Sequence, residues 1–333
     1  MIKKLIYLGF FFKSCNWKKL KQQSGFVRET YHISSTILFK KMILCAYRYG
    51  ISFHEFYYYG CFNKEDERIK EYASMSFMYE YEKRYNSNKY IDYLNDKLLF
   101  NEKYAEFVKR KWLNPQSSSL SEIEELINGK TKIVLKRSKG STGKDVLIMD
   151  LDGVSGEDIK ELCLRENYNL MEEYVYQHNK LQTLSPNSLN TCRIMTHLNE
   201  DGTVDVLGAV LRMGTLKNVD NFSMGGIAAP IDVATGVLSG DAVSFDIYQP
   251  KHSQHPVSHM NIKGFEMPFW KECISLVKAA ASKYNYNRTV GWDLAVRDDG
   301  PILIEGNHNW GARVWQMAVG KGTKFVLLKY MAK

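Results

Sequence analysis

The six cysteines of these 333 residues, at positions 15, 45, 61, 163, 192 and 273, are scattered, and none forms a CxxC pair. That pattern excludes a disulfide framework and a cysteine-based zinc site and favours a reducing compartment, the cytosol. Proline is scarce, with seven residues, and there is no internal repeat or low-complexity tract. Solenoids and long Pro-rich linkers are excluded on that ground. The apolar stretch at the start, Met1-Ile-Lys-Lys-Leu-Ile-Tyr-Leu-Gly-Phe-Phe-Phe-Lys13, is too short to span a bilayer. No small-residue cleavage site follows it, which reads against a signal peptide. Two readings stay open for it: a buried edge element, or a segment that dips into a membrane interface beside Lys13, Lys18, Lys19 and Lys21. Strong charge is also lacking. A net charge of +8 permits an anionic ligand or membrane surface, but no nucleic-acid recognition motif accompanies it.

What is present is an ordinary globular composition, long enough for two or three domains. Residues 1–110 read as mostly helical and rich in aromatics and lysine, with Glu65–Tyr85 as one helix and Lys97–Trp112 as another, ended before Asn114-Pro115. Ser121 and Glu124 suggest a capping box for a short helix to Ile127. From residue 131 the character changes. Strands are expected over Lys132–Arg137, Lys144–Asp150 and Leu170–Tyr176, with a helix over Gly156–Asn167. Thr191–Leu198 and Thr203–Met213 form a hairpin, and strands Gly225–Asp232 and Val237–Phe245 follow. An amphipathic helix covers Pro268–Tyr284. Ala312–Tyr330 closes as a helix interrupted near Gly320 and Gly322. The class is α+β.

The most informative stretch is Asp293-Leu-Ala-Val-Arg-Asp-Asp-Gly-Pro-Ile-Leu-Ile-Glu305, followed by Gly306-Asn307. It reads as a β-hairpin with a three-residue loop, Asp298-Asp299-Gly300. Centring the turn on Asp299 sets Arg297 against Pro301, Ala295 against Leu303 and Asp293 against Glu305. Alternation then places Leu294, Val296, Ile302 and Ile304 on a core face and Asp293, Leu303, Glu305 and Asn307 on the other. Two carboxylates across a ladder repel. A hard cation such as Mg²⁺, held with the Asn307 amide, converts that cost into a binding site; a solvated acidic hairpin end is the alternative.

Three further segments carry chemistry. Lys136-Arg-Ser-Lys139-Gly140-Ser141-Thr142-Gly143 fails the Walker spacing but makes a Gly-rich loop between strands, suited to phosphates or simply solvated. Met171-Glu172-Glu173-Tyr174-Val175 is a strand whose backbone suits an adenine edge. Arg193 and Arg212 lie inside apolar strands, where a guanidinium needs an anionic partner: phosphate, substrate carboxylate or a structural ion pair. Asp220-Asn221-Phe-Ser-Met-Gly-Gly226 reads as a tight loop near a ligand. His252, His255 and His259 suggest a mobile loop over the site or, less simply, a metal set.

Taken in order, the phosphate lysine, Gly-rich hairpin, Glu-Glu-Tyr-Val hinge, strand arginines, Asn-x-x-x-Gly-Gly and Asp…Glu-x-Asn resemble the ATP-grasp enzymes. Leu-Asn-Thr-Cys-Arg193, Val-Asp-Asn221-Phe-Ser-Met-Gly-Gly, Val-Gly-Trp-Asp293 and Leu-Ile-Glu305-Gly-Asn307 resemble the sugar-transfer-associated subgroup, linked to surface and capsular polysaccharide synthesis. The resemblance covers about 95–333 and implies an ATP-grasp fold with two α+β subdomains clasping ATP. The small subdomain spans about 131–176 and the large one about 177–333, behind a helical region 1–94 without an assignable motif. It implies that Asp293, Glu305 and Asn307 hold two Mg²⁺ ions, with Mn²⁺ as an alternative. Lys97, Lys136 and Lys139 contact phosphates, and Gly140, Ser141, Thr142 and Gly143 close over them. Met171, Glu172, Glu173, Tyr174 and Val175 form the adenine site, with Leu303 beneath the base. Arg193 and Arg212 steady the γ-phosphate or acyl-phosphate, and Asn221 sits near the metals. The family's acidic ribose ligand is missing from Tyr176-Gln-His-Asn-Lys180, leaving Gln177 or His178 to substitute. Trp310 shapes the acceptor pocket in this reading, and Arg313 meets an anionic substrate.

The implied activity is an ATP-dependent carboxylate–amine ligase that joins a small carboxylate, such as a sugar acid, to an amine such as an amino acid. It would work in the cytoplasm, with membrane or glycan-assembly contacts through the basic N-terminal region. The rivals are a kinase on the same fold and a non-catalytic glycan-assembly scaffold.

Overall fold

The computed structural model describes residues 2–140, 146–215 and 225–331. The chain begins with helices Ile2–Ser14, Trp17–Tyr31, Ser35–Tyr49 and Phe53–Tyr58, and Met75–Tyr85 follows. Asn16, Ser34, Ser52 and Ser74 each cap the helix they precede by accepting a backbone N–H, which satisfies donors that a helix start leaves orphaned. The helix expected over Glu65–Tyr85 is therefore two, Asp66–Ile69 and Met75–Tyr85, because Ser74 starts the second. Phe11, Val27, Leu38, Met42, Phe53 and Phe56 form the core of this region. Gln316 ties it to the end of the chain. Its amide oxygen accepts from the N–H of Ala73 (2.7 Å) and Thr323 (3.0 Å), and its nitrogen donates to the Ala73 carbonyl and the Tyr59 hydroxyl (both 3.0 Å).

Two antiparallel sheets follow. The smaller has the order β1-β4-β2-β3, with β1 at Trp112–Leu113, β2 at Lys132–Lys136, β3 at Val146–Asp150 and β4 at Leu170–Glu173. Helices Leu120–Ile127 and Gly156–Glu166 cover one face, burying Ile123, Ile133, Leu135, Ile159 and Met171. The helix expected over Lys97–Trp112 is broken into Lys97–Lys103 and Ala105–Val108. Lys109 adopts a left-handed φ of 50°, and the following residues are drawn into pairing with β4. The capping box forms two residues earlier than expected, between Ser119 and Glu122. Glu124 instead accepts the backbone N–H of Gly156 at 2.6 Å.

The larger sheet has the order β10-β9-β5-β6-β7-β8: β5 Thr191–Leu198, β6 Val204–Met213, β7 Ile227–Ile231, β8 Val243–Ser244, β9 Thr289–Arg297 and β10 Gly300–Asn307. The strand expected over Val237–Phe245 is reduced to β8 and isolated bridges from Val237 to Glu266, Leu238 to Ile231 and Ala242 to His252. On one face Ile194, Trp292, Leu294 and Leu303 pack against Phe100 and the helix Trp270–Lys283. On the other, Met195, Val210 and Ala228 meet Tyr81, Trp310 and Trp315. Tyr81 comes from the helix Met75–Tyr85, Trp310 from the segment after β10 and Trp315 from the closing helix Arg313–Val319, while the last helix, Lys324–Met331, adds Leu327 and Tyr330. The second face is thus partly walled by helices and partly left to charged residues.

The hairpin differs from its expected form in an instructive way. The turn has two residues, Asp298-Asp299, since Arg297 pairs with Gly300, Val296 with Pro301, Ala295 with Ile302 and Leu294 with Leu303. The register then shifts between Leu303 and Glu305, and the Glu305–Asp293 pairing is restored. A one-residue slip exchanges faces, and a bulge reverses the slip. Leu303 therefore joins the helix-covered core, whereas Ile302 and Ile304 lie with Ala295 and Val175 on the opposite face.

Gly291, the partner of Asn307, is a crowded point of this second face: a Cβ there would lie 2.5 Å from the Cβ of Trp310. Gly291→Ala should destabilise the protein by about 1–3 kcal/mol, as overpacking does. Chemical denaturation measures this, and an unchanged midpoint would mean that Trp310 is not held over β9.

Candidate active site

The charged part of the second face is a row across three strands. Arg193 of β5 pairs with Asp293 of β9, which pairs with Glu305 of β10. Both oxygens of Asp293 are engaged: Arg193 donates from Nε (2.7 Å) and from its terminal nitrogen (2.6 Å), and Arg212 of β6 donates at 2.8 Å. Burial alone would raise the Asp293 carboxyl, but Arg193 and then Arg212 outweigh it and hold the group below its ordinary value. Glu305 is left without such cover. Burial, reinforced by Asp293, raises its carboxyl above the usual range. Asn307 donates to Glu305 (3.4 Å) and to the Gly291 carbonyl (3.3 Å).

Among the described residues no group of three or more His, Cys, Asp or Glu is placed to hold a metal ion. The candidate set is two carboxylates and one amide. Its chemistry fits a hard divalent cation: all donors are oxygens, and the Glu305 carboxyl is destabilised in its charged form by a neighbouring carboxylate, the situation a cation relieves. Because the Asp293 oxygens already accept from both arginines, any ion bound there must share them or displace a guanidinium.

A second buried charge cluster sits where the sheets meet. Glu172 of β4 accepts from Arg110 (2.6 Å) and Asn101 (2.8 Å) and contacts the Lys136 ammonium. The side chains of Arg110 and Glu172 are each 2% exposed. Burial opposes ionisation of Glu172, and Arg110 followed by Lys136 overcomes it and drives the carboxyl well below its ordinary value. Arg110 also donates to the Leu303 carbonyl of β10 at 2.6 Å, so one guanidinium joins β4 to the hairpin. The sequence reading missed Arg110 because Lys109-Arg110-Lys111 resembles the solvated end of a helix. Lys97, whose ammonium donates to the Gly140 carbonyl at 2.8 Å, is lowered by burial, with Glu305 opposing. Lys97, Lys136, Glu172 and Glu305 are thus electrostatic neighbours.

The remaining candidates divide. Gly140 lies beside Lys97, and Lys139 is exposed, facing Asp96 at 3.9 Å. Ser141, Thr142, Gly143 and Asn221 lie outside the described residues. Beyond Glu173 the chain leaves the ladder, and Glu173, Tyr174 and Val175 line a cavity of about 440 Å³ with Lys130, Tyr176 and Arg297. Met171 and Leu303 need correction as base-packing residues. Each alternates away from the charged face and is fully buried in a core, leaving Val175, Ile302 and Ile304 as the apolar side chains on this side. The proposed ribose ligands are also used structurally. The His178 ring accepts from the Lys180 N–H as a helix cap. Gln177 is buried, donating to the Ser185 and Ser188 carbonyls and accepting from Asn190. His255 is buried with a ring nitrogen 2.9 Å from the Gly214 carbonyl, so the expected histidine-rich flap is anchored there.

A carboxyl whose native pKa is raised stabilises the fold fully below its unfolded pKa, and that stability is lost as pH rises through the native value. Without Mg²⁺ or nucleotide, Glu305→Gln should therefore melt at a higher temperature than wild type near pH 8, a gap that closes towards about pH 4. A lower melting temperature for the variant near pH 8 would show that Glu305 is charge-compensated in the free protein.

Among solved structures, similarity is at the level of fold. The ADP complex of PurK, an N5-carboxyaminoimidazole ribonucleotide synthetase, aligns over 65% of this chain and 45% of its own at 12% identity and a TM-score of 0.40. The ATP-grasp ligase PsnB with its minimal precursor aligns over 78% and 68% at 10% identity and a TM-score of 0.45. An L-amino acid ligase from Bacillus licheniformis aligns over 68% and 43% at 12% and 0.41. The chain thus spans less than half the length of the first of these proteins. No curated protein matches the sequence. The sequence model of the sugar-transfer associated ATP-grasp family matches residues 76–331, most of the chain and all ten strands, and this protein belongs to that family.

Proposed function

We propose that the protein is an ATP- and Mg²⁺-dependent carboxylate–amine ligase, with residues 95–333 as the working unit and the segments 131–176 and 177–333 as its two jaws. The observation that carries this reading is the row Arg193–Asp293–Glu305, with Arg212 on the same carboxylate. It faces into a site that also holds Lys97 and Lys136. Arg193 and Arg212 around Asp293, with Lys97 and Lys136 near Glu305 and Glu172, suit a polyanion held through divalent ions.

In this proposal Asp293, Glu305 and Asn307 hold the Mg²⁺, which when bound neutralises charge on the β- and γ-phosphates. Lys136 exchanges Glu172 for a nucleotide phosphate, and Lys97 meets a second phosphate. The adenine lies against Val175, Ile302 and Ile304, with the Tyr174–Val175 backbone at its edge. A substrate carboxylate oxygen attacks the γ-phosphorus, the bond to the β–γ bridging oxygen breaks, and ADP leaves. Arg193 and Arg212 hold the acyl-phosphate, whose carbonyl an amine then attacks, expelling phosphate and leaving an amide. Catalysis is positioning and charge stabilisation. A sugar acid as the carboxylate, and a role in surface polysaccharide synthesis, rest on the sugar-transfer association in the family's description.

Incubation with ATP, Mg²⁺ and a panel of sugar acids and amino acids, read by ADP release and product mass, tests the chemistry. An amide product is expected; a stable phosphoester would make the protein a kinase. Glu305→Gln should lower turnover at least about 100-fold, and EDTA should abolish it. Normal turnover in the variant would remove Glu305 from the metal site.

We further propose that the first helices rest on the cytoplasmic face of a membrane. No helix among the described residues is long and apolar enough to cross one. Ile2, Leu5, Ile6, Phe10 and Ile37 are nonetheless each more than half exposed, and the exposed Lys13, Lys18 and Lys40 flank them. Apolar anchors with basic neighbours suit an anionic lipid surface. Sedimentation with phosphatidylglycerol vesicles should carry the wild type down and leave Ile6→Glu/Phe10→Glu in solution; equal partition would refute the contact.

A further inference from the structure

On the same face of the large sheet, beyond the arginines, two cations share one pair of aromatic rings. Tyr58 of the helix Phe53–Tyr58 and Phe245, just after β8, have centroids 4.5 Å apart. The Lys19 ammonium lies 4.6 Å from the Phe245 centroid and 5.5 Å from that of Tyr58. The Arg313 guanidinium lies 5.6 Å from Tyr58 and 5.7 Å from Phe245. Among the described residues neither cation forms an ion pair with a carboxylate. The buried Arg313 Nε atom has no hydrogen-bond partner among the described residues. His54 stands beside them, its Nδ1 2.8 Å from the Gln23 amide oxygen. Burial first, and then Lys19 and Arg313, push its pKa down to about 4, so the ring beside the two cations is neutral and adds no charge of its own. Ring faces attract each cation, but they do not cancel the repulsion between the two or satisfy the buried Nε. An oxyanion does both.

We propose that Lys19 and Arg313, against Tyr58 and Phe245, form an oxyanion subsite for a second anionic group, phosphate or carboxylate, on the acceptor whose reacting carboxylate Arg193 and Arg212 hold. The proposal rests on the ligase reading and adds the acceptor's class: a molecule charged at both ends. The spacing supports it. Arg212 pairs with Ala228, which pairs with Val243, so two strand spacings, roughly 10 Å, separate the arginine from the strand leading to Phe245. Trp310 packs over Gly291 beside Arg193, and Arg313 follows three residues later, within roughly 11 Å of backbone. A cavity of about 370 Å³ adjoins, lined by Tyr58 with Phe26, Tyr57, Tyr72 and Gln316. That volume is in the range of small-molecule sites. Asp246 lines the cavity too, but it is exposed and pairs with neither cation. The helical N-terminal region, which supplies Lys19 and Tyr58, thereby becomes part of substrate recognition.

Calorimetric titration of the full-length protein with glucose 1-phosphate and, separately, glucuronate tests this, with MgADP as a third titrant. Arg313→Gln and Lys19→Gln should each weaken one sugar probe about tenfold, Arg313→Lys should restore part of the loss, and MgADP affinity should stay the same. Loss confined to glucose 1-phosphate assigns a phosphate, and loss confined to glucuronate assigns a carboxylate. Unchanged affinity for both in folded variants, or no binding of either by the wild type, overturns the subsite. If the wild type fails to bind MgADP while the sugar effects hold, the nucleotide reading fails and the oxyanion site stands.

Discussion

Two carboxylates placed directly across adjoining strands and taken out of water would drive a hairpin apart, and the large sheet is arranged around preventing that. Asp293 is neutralised from β5 and β6 by Arg193 and Arg212, at 2.6–2.8 Å. Glu305 has no guanidinium of its own, and burial beside Asp293 disfavours its charge. The arginines in turn are tolerable inside apolar strands only because Asp293 faces them. The row is therefore compensated at Asp293 and incomplete at Glu305, which is the reason the proposed cation is placed there.

The Glu172 cluster applies the same rule between the sheets. A carboxylate on β4, an arginine after a short helix and a lysine on β2 neutralise one another, and Arg110 extends the network to the Leu303 carbonyl. In the proposed cycle the loss of Lys136 to a phosphate leaves Glu172 with Arg110 and Asn101, so a compensated charge remains buried. Nucleotide binding then adjusts a network that stays satisfied.

Much of the fold was legible. The hairpin Thr191–Leu198 with Val204–Met213, the helix near Pro268–Tyr284 and the pairing of Asp293 with Glu305 all follow from alternation and turn chemistry. The hairpin shows the limit. Its end-to-end register was right although its turn was one residue shorter, because the bulge before Glu305 compensates. The intermediate residues changed faces, which moved Leu303 into the core and brought Ile302 to the site side. His178 and Gln177, adjacent to the hinge, are consumed by a helix cap and a buried amide network.

The sequence alone determined the residue types and their order: acid, acid and amide on a hairpin, arginines on apolar strands, lysines before glycines. These are local patterns, fixed by side-chain period and by the cost of burying charge. Only the tertiary structure decided which charges meet. The Arg110–Glu172 and Arg193–Asp293 pairs span 62 and 100 residues of chain, and Lys19 and Tyr58 from the N-terminal region meet Phe245 from after β8 and Arg313 from after β10. Such contacts depend on strand order and on which face each register exposes, and no local window of sequence contains either.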